Sequence, residues 1–460
     1  MQLDTHLNVP KFMVDMDRVR SDLWIPNLDY ERKKALGYRM SGRDLPGVQL
    51  YEEFDCYVKL PRGYSPPSSG AETNEFSWDV EDMRPEFDRI EWPKFRRILK
   101  DAQIPAAHAL VNQEGDKQLC LGCGKGKTTL SLWYSYYKSV RTLIIVDRDF
   151  LVDQWISEIK KCFWLPRDRV GRIQAQECSI GQEYTIAVIH TLSQHEYDDD
   201  FYAQFGLIIV DECHMLGAPL FASVLPRFVG ERVLLSATPS RKDGMHPVFM
   251  YHGGGLEPCY TDLARDKPST WYFVHMPRIM SEKEERSCFR RVPSTGRLAV
   301  HRPIYESKAI QSDVFNGLAT EEIMKAAASG RNVLVLGSRV EQLKMLAEVV
   351  GEHHDVGLVT GDVKGEERRL AFSKRILFVT DRIGSRALDV PRLDTLVLLF
   401  PTADVDFLRQ TVGRIDREHE EKREPIAIVF FHKTLEKVQR NMASAIKDVD
   451  DRAIIREVYR

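Results

Sequence analysis

Leu119-Cys-Leu-Gly-Cys-Gly-Lys-Gly-Lys-Thr-Thr129 is the stretch on which the reading of this chain turns. An apolar run gives way to alternating glycines, then to Lys-Thr-Thr, then to the helix-forming Leu130–Tyr137. That order is strand, phosphate loop, helix. Gly122, Gly124 and Gly126 carry no Cβ, so backbone N–H groups can turn inward onto phosphate oxygens. Lys127 would reach the β- and γ-phosphates of a nucleotide, the Thr128 hydroxyl would hold Mg²⁺, and Thr129 continues the binding turn. The loop departs from the P-loop pattern at its first position, where Leu121 replaces glycine. A flexible glycine turn with no ligand is the blander reading of the same residues.

Working outward, 460 residues are too many for one ordinary core, so two or three domains are expected. Hydrophobic residues at 43% and charged residues at 29% describe a soluble globular protein. With 65 basic and 68 acidic side chains the net charge is −3, so nucleic acid would have to be held by local patches. Eight cysteines make no disulfide framework. Cys120 and Cys123 have zinc-like spacing, but they sit inside the phosphate loop without a second such pair and read as packing residues. Reduced thiols, no signal peptide after Met1 and no bilayer-length apolar run predict a cytoplasmic protein with no membrane partner.

Residues 1–75 read as a small, strand-rich N-terminal accessory domain with strands over Val48–Leu60 and a Pro/Ser/Gly-rich linker over Ser65–Glu75. Tyr30–Arg39 interleaves basic and aromatic residues, which suits either nucleic acid or a solvated helix face. From residue 76 to 265 the rhythm is α/β. Helices are expected over Trp92–Leu99, Pro105–Asn112 and Phe150–Lys161, and strands over Arg141–Val146, Thr185–Ile189, Phe205–Val210 and Val233–Leu235. The rhythm restarts in residues 266–460, with strands at Trp271–His275, Asn332–Leu336, Val356–Val359, Arg375–Val379, Thr395–Phe400 and Ile426–Phe431. Helices follow at Val340–Val350 and Asp404–Val412, with a helical tail over Thr434–Tyr459. Arg290–Arg302 is basic with a central turn, either a hairpin touching phosphates or a surface excursion. Strands alternating with helices imply parallel sheets, with ligands at the strands' carboxyl ends. The polar clusters fall there.

Asp211-Glu212 follows such a strand, where a Mg²⁺-holding aspartate stands relative to a phosphate loop, with Glu212 placed to orient a water. Read together, Gly124–Thr128, Asp211-Glu-Cys-His214, Ser236-Ala-Thr-Pro-Ser-Arg-Lys-Asp-Gly244, Thr360-Gly-Asp362 and Gln410–Arg417 resemble superfamily-2 helicases over residues 90–435. The Ala-Thr-Pro-x-Arg-x-Asp-Gly form is similar to the UvsW/XPB branch of remodelling helicases. The resemblance implies two tandem RecA-like parallel-sheet domains with ATP between them, Mg²⁺ as cofactor, and a monomeric motor acting on nucleic acid. Branched or forked DNA, with recombination or replication proteins as partners, is the substrate it favours. It implies catalytic roles for Lys127, Asp211, Glu212, Gln410, Arg414 and Arg417, the arginines reaching the γ-phosphate. Asp389 would contact the nucleotide, and His214, Ser236 and Thr238 would couple hydrolysis to grip. Arg148, Gln154, Thr191, Thr360, Gly361, Thr380 and Arg386 would contact nucleic acid. Three features depart from the family: Ala387 stands where glycine is usual, the usual proline after Ile144 is missing, and the neighbours of Gln103 do not match a glutamine motif for adenine. A double-strand translocase of the restriction type, an RNA helicase and a non-hydrolysing nucleotide-gated module are the competing readings.

Overall fold

The structure, a computed structural model, describes every residue except 36–39, 42–43, 68–78, 123, 167–168, 238–239, 242, 265–267, 292–297, 364, 387, 389, 418 and 421. The chain divides into two compact units, Met1–Leu263 and Ala264–Arg460.

The first unit is built on an eight-stranded sheet in the order Glu177–Ser179, Val170–Gln174, Tyr184–Val188, Thr142–Val146, Leu207–Val210, Glu231–Ser236, Lys117–Leu121, Tyr260–Asp262. Every pairing is parallel except that of the first two strands. Thr142–Val146, Tyr184–Val188 and Leu207–Val210 are buried along their whole length, as strands covered on both faces must be. Helices Lys127–Lys138 and Asp149–Phe163 cover one face, burying Leu130, Val152, Trp155 and Ile159. The expected helix at Trp92–Leu99 is absent, and residues 91–100 run in irregular backbone. The Arg96 N–H is spent on the Cys162 carbonyl, and the rings of Trp92 and Phe95 pack edge-on against Phe163. Tertiary packing overrides the local helical pattern. Helix proper starts at Ile104, after a single 3-10 turn, with proline in its first turn.

The N-terminal residues form a five-stranded sheet in the order Glu52–Glu53, Tyr57–Leu60, Leu7–Pro10, Gln2–Leu3, Glu81–Asp82. Its core, with Val9, Val19, Leu23 and Val58, also takes in Met245 and Val248. A buried charge knot ties it to the larger sheet. Arg62 donates to the Asp116 carboxylate and to the carbonyls of Phe228, Val229 and Gly230. Arg232, fully buried, donates to the carbonyls of Thr5 and Phe228, and its own N–H meets Asp116. Removing one member of so buried a set leaves an uncompensated charge and costs roughly 3–5 kcal/mol. Of the expected linker, residues 68–75 lie outside the described residues.

The second unit is a seven-stranded, all-parallel sheet in the order Val356–Val359, Ile376–Thr380, Val333–Gly337, Thr395–Leu398, Ile426–Phe431, Thr270–His275, Ile454–Tyr459. The last strand corrects the expected helical tail. Helix Glu436–Val449 stops at Asp450, whose extended backbone and carboxylate, accepting from the Ser269 N–H and hydroxyl, turn the chain back to the sheet. Ile454–Tyr459 then pairs beside Thr270–His275 as an edge strand. Residues Phe289–Arg291 and Leu298–Val300 pair antiparallel, so the basic segment is a hairpin, its tip outside the described residues.

Candidate nucleotide and nucleic-acid site

At the carboxyl edge of the first sheet the strand order becomes an order of functional groups. The phosphate loop follows Lys117–Leu121, and Ser236 ends the neighbouring strand. Asp211-Glu212 follow the next, Arg148 the one after, and Thr191 follows Tyr184–Val188. Gly124 and Gly126 sit at φ of 82° and 78°, a region open to glycine, and Gly126 opens helix Lys127–Lys138. The first-turn N–H groups of that helix have no acceptor within it, which makes its N-terminus a seat for anions. Lys127 Nζ donates to the Leu121 carbonyl at 2.8 Å, so the lysine arm lies over its own loop. Gly122 differs from the expectation: its N–H is committed to the Asp262 carbonyl at 2.8 Å rather than turned toward a ligand. Thr128 is partly exposed, and the Thr129 hydroxyl accepts from Arg97 at 3.2 Å.

Asp211 receives an N–H on each oxygen, from the Trp155 indole at 3.0 Å and from the Glu212 backbone at 3.0 Å. Burial and the neighbouring Glu212 charge push its carboxyl up to about 6, while Lys127 and the two N–H donors pull the other way. Glu212 is held at φ 51°, a strained conformation for a side chain of its size, which aims its carboxylate beside His214 with Oε2 3.3 Å from Nδ1. Ser236 is buried, and its hydroxyl bonds with the Cys213 thiol beneath the loop. Thr238 lies outside the described residues.

The expected nucleic-acid contacts divide. Arg148 is exposed at the start of helix Asp149–Phe163 and pairs with Asp147 at 3.1 Å, with Gln154 partly exposed further along. Thr191 is buried, and its hydroxyl accepts the Ala175 N–H at 3.1 Å, so it is spent inside the fold. In the second unit, Thr360-Gly361 and Thr380 end adjacent strands. Gly361 faces open space, Thr360 is buried and Thr380 is partly exposed. Asp389 and the Arg386 side chain lie outside the described residues. Gln410 and Arg414 share a face of helix Val405–Ile415, one turn apart, and Arg414 Nη1 donates to the Leu388 carbonyl at 3.0 Å. Arg417 falls beyond that helix, which ends at Ile415, so the three do not form one helical face.

Two residues that the sequence reading left without a role prove central. Gln103 Nε2 donates to the Gly126 carbonyl at 3.2 Å, and its Oε1 accepts from the Lys100 N–H, so it staples the phosphate loop to the preceding turn. Trp155 supplies the donor to Asp211. The signal for it was a lone tryptophan on the buried face of an amphipathic helix, which reads equally as core.

Among the described residues no cluster of three or more His, Cys, Asp or Glu is set to enclose a metal. A Mg²⁺ ion would be held by one or two protein oxygens and completed by phosphates and water. Asp211, with an N–H donor on each oxygen, and the Thr128 hydroxyl are the residues that would hold it.

Comparison with known proteins bears on the fold and on the class of protein. The family model described as "Type III restriction enzyme, res subunit" matches residues 96–241. A protein of Acanthamoeba polyphaga mimivirus named "Putative ATP-dependent RNA helicase" is 25% identical over 398 residues, covering 83% of this chain and 72% of that one. A protein of Escherichia phage T5 named as a probable helicase is 23% identical over 365 residues, covering 74% and 72%. Among solved structures, S. cerevisiae Dbp5 bound to RNA and ADP BeF3 superimposes with a TM-score of 0.55 at 16% identity, covering 78% of this chain and 89% of that one. The fold is that of the two-domain RecA-like helicases, and the matches support a helicase of superfamily 2.

Proposed function

We propose that this chain is a nucleic-acid-stimulated ATP hydrolase that drives strand separation or remodelling, with branched or forked DNA as its substrate. The observation that carries the reading is Asp211, with an N–H on both oxygens and the Lys127 charge nearby, at the end of a parallel strand one strand removed from the one that leads into the phosphate loop. In this reading Lys127 and the first-turn N–H groups hold the phosphates, Glu212 orients the attacking water, and Arg414 and Arg417 neutralise charge growing on the γ-phosphate. Mg²⁺ held by Asp211 and Thr128 would neutralise the phosphates and hold them in line. His214, next to Glu212 and tied through its carbonyl to the loop after Ser236, links that chemistry to grip on the strand. Phosphate contacts from Arg148, Gln154, Thr360, Gly361, Thr380 and Arg386 give grip without sequence reading and make binding salt-sensitive. The DNA preference and the UvsW/XPB-like branch rest on the Ala-Thr-Pro-x-Arg-x-Asp-Gly motif.

A second reading, an RNA helicase, is favoured by the name of the mimivirus relative. Phosphate release and unwinding on single-stranded, forked and four-way DNA and on RNA duplexes, side by side, separate the two. Highest activity on forked or four-way DNA supports the proposal. RNA-only stimulation replaces it with the second reading, and no phosphate release on any substrate ends both.

A further inference from the structure

The Arg241–Asp243 pair, part of the motif after Ser236, takes no part in holding or cleaving the nucleotide in the proposal above, yet it touches both the His214 turn and the N-terminal module. Arg241 donates through Nη1 to the His214 carbonyl and through Nε to Asp243 Oδ1 at 2.9 Å, with its second amino group on Asp243 Oδ2 at 2.5 Å. Gly217 makes the approach possible, because a Cβ there would lie 2.7 Å from Arg241 Cδ. Asp243 reaches the other way. Its carboxylate accepts the N–H of Met245, a fully buried member of the N-terminal core. Its carbonyl accepts the Leu28 N–H at 3.0 Å. Leu28 opens the helix Leu28–Ala35, capped by the Asn27 side chain, and its N–H is one that no residue of that helix can satisfy. Arg32 and Lys34 stand exposed on the same helix.

We infer that Arg241 and Asp243 are positioning residues forming a strut through which the N-terminal module sets the turn carrying Glu212 and His214. The inference rests on the ATP-hydrolysis reading for its consequence but not for its geometry. Two charged groups and a helix-start N–H make one continuous chain of bonds from the module to the catalytic turn. A planar fork is required in the middle, because a lysine at 241 cannot bond the His214 carbonyl and both Asp243 oxygens together.

Leu28→Pro tests the far end. Proline is well tolerated as the first residue of a helix, so the helix survives while its N–H to Asp243 is deleted. Hydrogen exchange of the Cys213–Gly217 amides, with no nucleotide present, should rise about fivefold or more in L28P and in R241K. In R241K the nucleic-acid-stimulated kcat should fall by about tenfold or more while the KM for ATP stays within about threefold. Arg20→Ala, which breaks the Arg20–Glu53 pair on the outer face of the same module, should leave the 213–217 amides unchanged. Unchanged exchange in L28P, or an equal rise in R20A, overturns the strut. A wild-type protein without ATPase activity but with the L28P effect overturns the functional reading and leaves the strut standing.

Discussion

Each unit places an aspartate directly after a buried parallel strand, and the two have been put to different use. Asp211 follows Leu207–Val210 and Asp381 follows Ile376–Thr380. Burial pushes both carboxyls up to about 6. What differs is the company they keep. Asp211 has an N–H on each oxygen, the Lys127 charge in reach, and a glycine loop on the same sheet edge. Asp381 faces Arg302 at 3.7 Å and stands near Glu306, itself bonded by Ser338 and paired with Arg302 and Arg339. One sheet thus holds its carboxylate with N–H donors, and the other ties its carboxylate into a protein ion network. A strand-end aspartate is therefore not a candidate metal site by position alone; the phosphate loop on the same sheet edge and its lysine are what make Asp211 the candidate.

The largest expected effect breaks that comparison directly. Asp211→Asn keeps the shape and removes the charge, and ATP hydrolysis should fall by roughly 10⁴-fold. Asp381→Asn, the same change at the sister position, should leave hydrolysis within about threefold, since only a network ion pair is lost. Steady-state phosphate release measures both, and comparable losses would erase the distinction between the two sheets.

Arg414 is the second unit's expected contribution to chemistry. Arg414→Ala should lower kcat by roughly 10³-fold while nucleotide affinity, read by a fluorescent ATP analogue, stays within about threefold. Equal loss of binding and turnover would instead make Arg414 a structural tie through the Leu388 carbonyl it already holds.

The same contrast explains what was legible in the sequence. Buried parallel strands announce themselves as short apolar runs, and Thr142–Val146, Leu207–Val210 and Ile426–Phe431 were readable to within two residues. The placement of Lys127, Asp211 and Glu212 along one sheet edge was readable because those residues sit at fixed offsets from strands. Trp92–Leu99 was not, because its backbone bonds to a distant helix end and no local pattern records that. Ile454–Tyr459 was hidden by the amphipathic helix before it, and only Asp450 and the β-branched pair at 454–455 mark the change. Gln103 and Trp155 act through single long-range hydrogen bonds, which sequence spacing cannot carry.

Within the loop itself, Gly126 and Gly122 sharpen the point. A Cβ at 126 would lie 2.3 Å from Gln103 Nε2 on backbone at φ 78°, so Gly126→Ala should break the staple. Nucleotide affinity should then fall by roughly 30- to 100-fold, about 2–3 kcal/mol. Gly122 has no such demand, since a Cβ there meets the Leu263 carbonyl at an ordinary 3.6 Å. Gly122→Ala should change affinity by no more than about threefold, within the ordinary range of mild substitutions. Isothermal titration with ATP decides it, and a large loss at 122 would mean that phosphate approaches the loop closer there than the Gly122–Asp262 bond implies.

Acid should distinguish the two units by a smaller effect. His6 and His252 meet edge-to-face beside Arg232, at the seam between the N-terminal module and the larger sheet. Burial first, and the nearby arginines second, lower His6 to about 4, and His252 falls well below its ordinary value for the same reasons. Unfolded, each would take a proton near 6.5, so between that value and 4 the unfolded chain binds more protons than the folded one. Stability is therefore complete above pH 6.5 and is lost as pH falls, by roughly 2 kcal/mol at pH 5 from His6 alone. Hydrogen exchange should show the N-terminal strands Leu7–Pro10 and Tyr57–Leu60 loosening between pH 6.5 and 5 before the sheet of the second unit does. His6→Gln, which cannot take up the proton, should flatten that slope. If the wild-type strands stay equally protected across the range, the histidines are not what makes this seam acid-sensitive, and the arginine–aspartate knot alone sets its strength.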